Sequence, residues 1–248
     1  MKNHPVFRES VEVFFLEGHG FPVYFYILAV LAPVEFLSLY IPSLDAQMWS
    51  GSANLFKVCS VTALLLLPYF GLRVANQEFA PWRFRPAKHW MRDGKIPVAS
   101  FCRAQLSFLA LHVSVSLVVC APLLIWAGAI ARTGPGAILT TLLLLWFYGF
   151  TYAIWGLAAL ARWERKPETR QVFVRSLLFA VLVGSALLYL PLNPVGFVLA
   201  YLSRQELAPL AVGPWKWPGA VVHFGFHAVL FGAGLATYLW SLKRKGEV

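Results

Sequence analysis

Apolar residues in this chain neither alternate nor keep to one helical face. They run in six long stretches, at about 21–42, 53–74, 101–130, 137–161, 171–190 and 220–241. A helix needs roughly 20 apolar residues to cross about 30 Å of hydrocarbon, and it bonds its own backbone there, as an open strand cannot. The pattern therefore predicts six transmembrane helices. Pro33 and Glu35 fall in the first, Pro68 in the second, and His112 and Pro122 in the third.

The segments between the spans differ in kind. Residues 4–18 (HPVFRESVEVFFLEG) place Val6, Phe7, Val11, Phe14 and Phe15 at helical spacing, with Arg8, Glu9 and Glu12 between them. That reads as a short amphipathic helix lying in the interface, opened by Pro5 and closed by Gly18 and Gly20. Residues 75–100 are polar and basic, a tight turn is expected at 132–136 (RTGPG), and 162–170 (RWERKPETR) is a charged link. Residues 191–219 form a longer loop with Asn193-Pro194, Trp215 and Trp217, and Lys243, Arg244 and Lys245 close the last span. No internal repeat is visible.

Composition agrees with a membrane domain and adds an orientation. Hydrophobic residues make up 59% of the 248 and charged residues only 13%, about half of what a soluble domain carries. The net charge of +10 invites a nucleic-acid reading, but the bases sit at the ends of apolar stretches rather than in a patch. With the N-terminus inside, segments 1–20, 73–103, 162–175 and 243–248 hold 17 of the 21 Lys and Arg. The positive-inside rule then puts both termini in the cytoplasm and Trp215 and Trp217 at the outer interface. A bacterial inner membrane is the expected location. Cys59, Cys102 and Cys120 lie in or beside apolar segments without a CxxC pair, so they are expected as reduced packing residues. Arg8, Glu9, Glu12 and Glu17 interrupt the apolar core that a cleavable signal peptide needs.

No phosphate-cradling GxxxxGK[ST] loop, HExxH or GxSxG is present. The chain is expected to bind no metal or nucleotide of its own, and a membrane-embedded enzyme is disfavoured for want of a catalytic constellation.

Several stretches resemble the permease subunits of type-2 ABC exporters. Asn3-His4-Pro5-Val6-Phe7-Arg8-Glu9 is similar to the start of that family's interfacial elbow helix. After the second span, Glu78, then Ile96-Pro97-Val98-Ala99-Ser100 and Arg103, resemble its coupling segment: an acid, a short helix, a Thr-Pro-like turn and a basic residue. Leu192-Asn193-Pro194-Val195, with Trp217 ahead of the last span, is similar to its extracellular reentrant stretch, here 191–219. The family's Glu-Arg pair is Glu78-Phe79 here, its Gly-Thr is absent beside Pro81-Trp82, and Arg103 stands for its Gly-Lys. The resemblance implies one all-α transmembrane domain over 1–248, with an elbow at 4–18 and a cytoplasmic coupling segment at 75–100. It also implies a dimer with a second permease copy or homologue, and a cytoplasmic ABC ATPase subunit that binds ATP and Mg. Contacts to that ATPase would come from Glu78, Trp82, Phe84, Arg85, Trp90, Arg92 and Pro97; aromatic and Arg side chains are favoured anchors at interfaces. The plainer reading of the same loop is contact with anionic lipid heads.

Ionisable groups within the spans are costly and usually turn inward. At 1.5 Å per residue, Glu35, His112 and His227 lie about 21, 16 and 20 Å from the inner face. They form either one intramembrane polar site or, as favoured here, separate groups lining helix contacts. His223 and His227 share a helix face at i and i+4, and with His112 they offer a runner-up: a haem-binding membrane anchor for electron transfer. Gly232, Ala233, Gly234 and Ala236 permit close helix approach, either to a second copy or within the chain.

Overall fold

A computed structural model describes residues 4–40, 54–81 and 83–247. Among the described residues eight α-helices follow in order: α1 Pro5–Val11, α2 Phe21–Tyr40, α3 Leu55–Ala75, α4 Val98–Ile130, α5 Pro135–Arg162, α6 Pro167–Leu188, α7 Pro194–Leu202 and α8 Gly219–Glu247. Six of them, α2 to α6 and α8, are long and apolar enough to span a membrane. The chain is an all-α, multi-pass membrane protein.

Proline sets most of the helix starts. It occupies the first turn of α1, α5, α6 and α7, where its fixed φ suits a helix and its missing N–H costs nothing. Pro97 caps α4 from outside. The turn expected over Ile96–Ser100 accordingly ends at Pro97, and Val98, Ala99 and Ser100 are already helical. The fifth span likewise starts at Pro167, inside the expected charged link. These helices extend beyond the apolar runs at their starts, so apolar run lengths understate them.

Two helices form the core of the bundle. The spans of α3 and α5 are 61% and 50% buried, against 17–22% for α2, α6 and α8. Hydrophobicity cannot press helices together in lipid, so close packing and interhelical hydrogen bonds must. The α3–α5 seam uses small residues for this. A Cβ on Gly71 would lie 3.1 Å from Ala153, and one on Gly156 would meet the Leu72 carbonyl oxygen and Ala75. Of the small residues on α8, Gly234 is buried against Trp155 of α5, whereas Gly232, Ala233 and Ala236 are exposed.

The 191–219 region carries more structure than a loop. A 3-10 turn at Leu190–Leu192 leads into α7, which packs on α3, α5 and α6. Asn193 joins these parts. Its Oδ1 accepts from Val195 N at 2.9 Å and Gly196 N at 3.0 Å, and its Nδ2 donates to Leu182 O at 2.7 Å on α6. A hairpin follows, β1 Leu210–Val212 paired antiparallel with β2 Trp215–Trp217. Gly213 at φ +59 supplies the left-handed residue that its two-residue turn requires. Trp215 and Trp217 are exposed on it.

Candidate functional site: a clamped platform on the basic face

Four segments, three of them basic, converge at one end of the bundle. These are the elbow, the 76–97 segment between α3 and α4, the 162–166 link, and the end of α8. The elbow is α1 followed by a π-helical stretch, Glu12–Leu16. It buries Val6, Ser10, Val13 and Phe14 against the bundle and turns Glu9 and Glu17 toward the 76–97 segment.

Those two carboxylates hold that segment. Arg83 forks onto Glu17, with Nε to Oε2 at 3.0 Å and Nη2 to Oε1 at 2.5 Å. Glu9 accepts from the backbone N–H of Arg85 and from Trp90 Nε1, each at 3.3 Å. Arg85 lies over the Trp90 ring at 5.2 Å. His4 Nε2 and Ser100 Oγ are 2.9 Å apart, tying the elbow to the start of α4. On the other flank the Ala87 N–H donates to Glu164 at 3.3 Å. Both ends of the segment turn through left-handed residues, Gln77 at φ 58 and Lys95 at φ 49, a conformation non-glycine residues seldom hold without support. Between them a π-helical turn, His89–Asp93, presents Arg92 outward.

The residues implied as ATPase contacts divide into groups. Arg85, Arg92 and Pro97 are exposed, and Phe84 and Trp90 are half-buried. Trp82 lies outside the described residues. Glu78 is not a surface group: its side chain is 3% exposed, bonded to Arg73 Nε at 2.8 Å and Asn76 Nδ2 at 3.0 Å. It braces the end of α3 from inside, and Arg73 in turn lies over Phe79 at 4.8 Å. Reading the sequence did not single out Glu9, Glu17 or Glu164 as clamps. The available signal was that scarce acids fall within the basic segments.

The clamps titrate in opposite senses. Arg83 holds the Glu17 carboxyl below the usual carboxylate range, so this pair contributes fully above that range and is lost as pH falls on through the lowered value. Burial raises Glu9, partly offset by the bonds from Arg85 and Trp90. The burial cost of the Glu9 charge therefore appears as pH rises through its raised value, and acidification relieves it. Glu9 takes up its proton first and Glu17 second. Protection of the amides of residues 83–90, corrected for the intrinsic pH dependence of exchange, should hold from pH 7 down to about pH 4 and fall only below it, and Glu17→Gln should lower it already at pH 7. Exchange that is indifferent to both changes would remove Glu17 as a clamp.

The intramembrane groups divide as well. His112 Nδ1 meets Tyr24 Oη at 3.1 Å, with the Phe14 ring edge-on at 5.2 Å. Glu35 is 1% exposed, and neither carboxylate oxygen has a hydrogen-bond partner. His227 belongs to another cluster, formed with His223, Tyr148 and Tyr152. No hydrogen bond or ion pair joins any two of Glu35, His112 and His227 among the described residues. In the cluster, His223 Nδ1 faces the Pro191 carbonyl at 2.7 Å and its Nε2 faces Tyr148 Oη at 2.5 Å. His227 repeats the scheme, with Nδ1 on the His223 carbonyl at 3.0 Å and Nε2 on Tyr152 Oη at 3.3 Å. A carbonyl only accepts, so each Nδ1 donates and each neutral ring takes the tyrosine proton at Nε2. Phe197 stacks on His223 at 4.0 Å. The nitrogens a haem would need are committed and the ring face is covered, so these residues do not fit one. Among the described residues no group of three or more His, Cys, Asp or Glu could hold a metal. Cys59, Cys102 and Cys120 are free and buried.

Fold and platform together define a polytopic helical membrane protein with a braced basic face. No family model, curated protein or solved structure matches the chain.

Proposed function

We infer that the chain is the membrane-spanning permease subunit of an ABC exporter in a bacterial inner membrane. A separate cytoplasmic subunit hydrolyses ATP, and this chain forms the path and receives the stroke. One observation carries the reading: the 76–97 segment is pinned to the elbow by Glu9 and Glu17 and to the α5–α6 link by Glu164. A push on Arg85, Arg92 or Pro97 is passed to both flanks of the bundle rather than absorbed in a loose loop. The elbow ahead of α2 and the short helices between α6 and α8 support this reading. Gly225, Gly232 and Ala236, exposed on α8, offer a face on which a second copy can approach closely. The haem-anchor reading loses support from the committed histidine nitrogens.

The test is affinity purification from native membranes in mild detergent, with ATPase activity assayed on the eluate. A Walker-type subunit is expected to co-purify, and Arg85→Glu with Arg92→Glu should cut its yield at least tenfold, as loss of interface anchors does. A folded protein that brings down no ATPase overturns the reading.

A further inference from the structure

The platform also contains a cleft, which shares Phe84 and Arg92 with the coupling contacts. It has a volume of about 940 Å³ and opens between the 76–97 segment and the start of α6. Lys88, Arg92, Arg165 and Arg170 line it, with Glu164 and Asp93 as its acids. Both acids are engaged: Asp93 faces His89 at 3.1 Å, and Glu164 accepts from the Ala87 N–H. The carboxylates of Glu164 and Glu78 act on Arg170 through their charge, and neither bonds its Nε. Arg170 stands apart from the rest. It is only 8% exposed, and its Nε has no hydrogen-bond partner. A buried guanidinium left with an unused donor is costly unless something anionic completes it. A neighbouring cleft of about 620 Å³ shares Lys88, Glu164 and Arg165 and adds Arg162, Lys166 and Arg244.

The position suits one class of ligand. Arg170 lies in the first turn of α6, where the span leaves the basic face, at the level of lipid headgroups. Phe84, Pro81 and Pro167 give the same cleft apolar walls beside its charges. A planar guanidinium pairs two N–H donors with two oxygens of a phosphate, and flanking lysine and arginine add charge.

We propose that this cleft is a binding site for an anionic phosphate group, held by Arg170 with Lys88, Arg92 and Arg165 around it. The site does not depend on the permease reading, since its elements all belong to this chain. A bound phosphate would bridge the 76–97 segment to α6 and so hold the platform against the bundle.

The full-length protein is compared in nanodiscs of phosphatidylcholine alone, with phosphatidylglycerol added, and in phosphatidylcholine with inorganic phosphate at matched ionic strength. Thermal unfolding midpoints are read, together with lipid retained in native mass spectrometry. Stabilisation by phosphatidylglycerol identifies a lipid headgroup as the source, and stabilisation by inorganic phosphate alone identifies a soluble one. In either case Arg170→Gln should weaken binding roughly tenfold or more, and Arg170→Lys less. Should Arg170→Gln fail to fold, Lys88→Gln with Arg165→Gln carries the test at the rim, with a smaller loss expected. A midpoint that responds to neither phosphate source overturns the site. So does a response to phosphatidylglycerol of equal size in wild type and all variants, which would be diffuse attraction to the basic face.

Discussion

Gly156→Ala is expected to destabilise the protein by about 3 kcal/mol, the upper end of what overpacking a tight contact costs. The added Cβ meets the Leu72 carbonyl oxygen and the Ala75 Cβ, the latter at 2.8 Å. A side chain can rotate away, but a carbonyl inside α3 cannot, so α3 and α5 must separate. In lipid that separation forfeits packing contacts with no hydrophobic gain to offset it. The same substitution at Gly184, where nothing lies within 4 Å, serves as the control. It should be neutral to slightly stabilising, because alanine favours the helix by up to about 1 kcal/mol. Thermal unfolding in mild detergent distinguishes the two, and equal midpoints for both variants would refute the close α3–α5 approach.

His223→Leu is expected to cost a similar amount, about 3 kcal/mol. It leaves the Tyr148 hydroxyl and the Pro191 carbonyl without partners in a buried site, each worth about 1–3 kcal/mol. It also removes the stack on Phe197. Tyr148→Phe should cost less, since it removes the hydroxyl together with its need for a partner. The double variant decides the matter: once His223 is gone, Tyr148→Phe should become neutral or stabilising. Additive effects would mean that the two side chains do not interact. The consequence reaches beyond stability. Through His223 the last span holds the turn before α7, so its loss should free the 190–202 region while leaving the platform intact.

The span count was legible because it depends on a local feature, apolar length. Pro5 was read as a helix start; Pro135, Pro167 and Pro194 carry the same local signal but fell in segments read as a turn, a charged link and a loop. The hairpin at 210–217 was equally local, since Gly213-Pro214 between Leu210–Val212 and Trp215–Trp217 is a turn signal flanked by apolar residues. It escaped notice because three-residue strands are too short to show a period.

The site was less legible. Arg85, Arg92 and Pro97 do face outward, as expected from the basic segment. Glu78 faces inward, because Arg73 lies five residues earlier and the end of α3 folds the two together. Nothing in the local pattern distinguishes a carboxylate awaiting a partner protein from one already bonded to its own chain. The similar depths of Glu35, His112 and His227 were sound arithmetic. Depth, however, is one coordinate of three, and the bundle sends these residues to different helix contacts.

The sequence by itself determined how many helices are long and apolar enough to cross a bilayer, and its bases supply the expectation of which end faces the cytoplasm. Both follow from quantities that add along one dimension, apolar length against hydrocarbon thickness and charge against side. Tertiary structure alone decided which faces meet. A helix that is apolar nearly all round carries little record of its partner, so the choice of α3 and α5 as the centre falls to small residues that let backbones approach. The same packing decided which histidine meets which tyrosine, which acids clamp the platform, and which arginine is left in a cleft with a donor to spare.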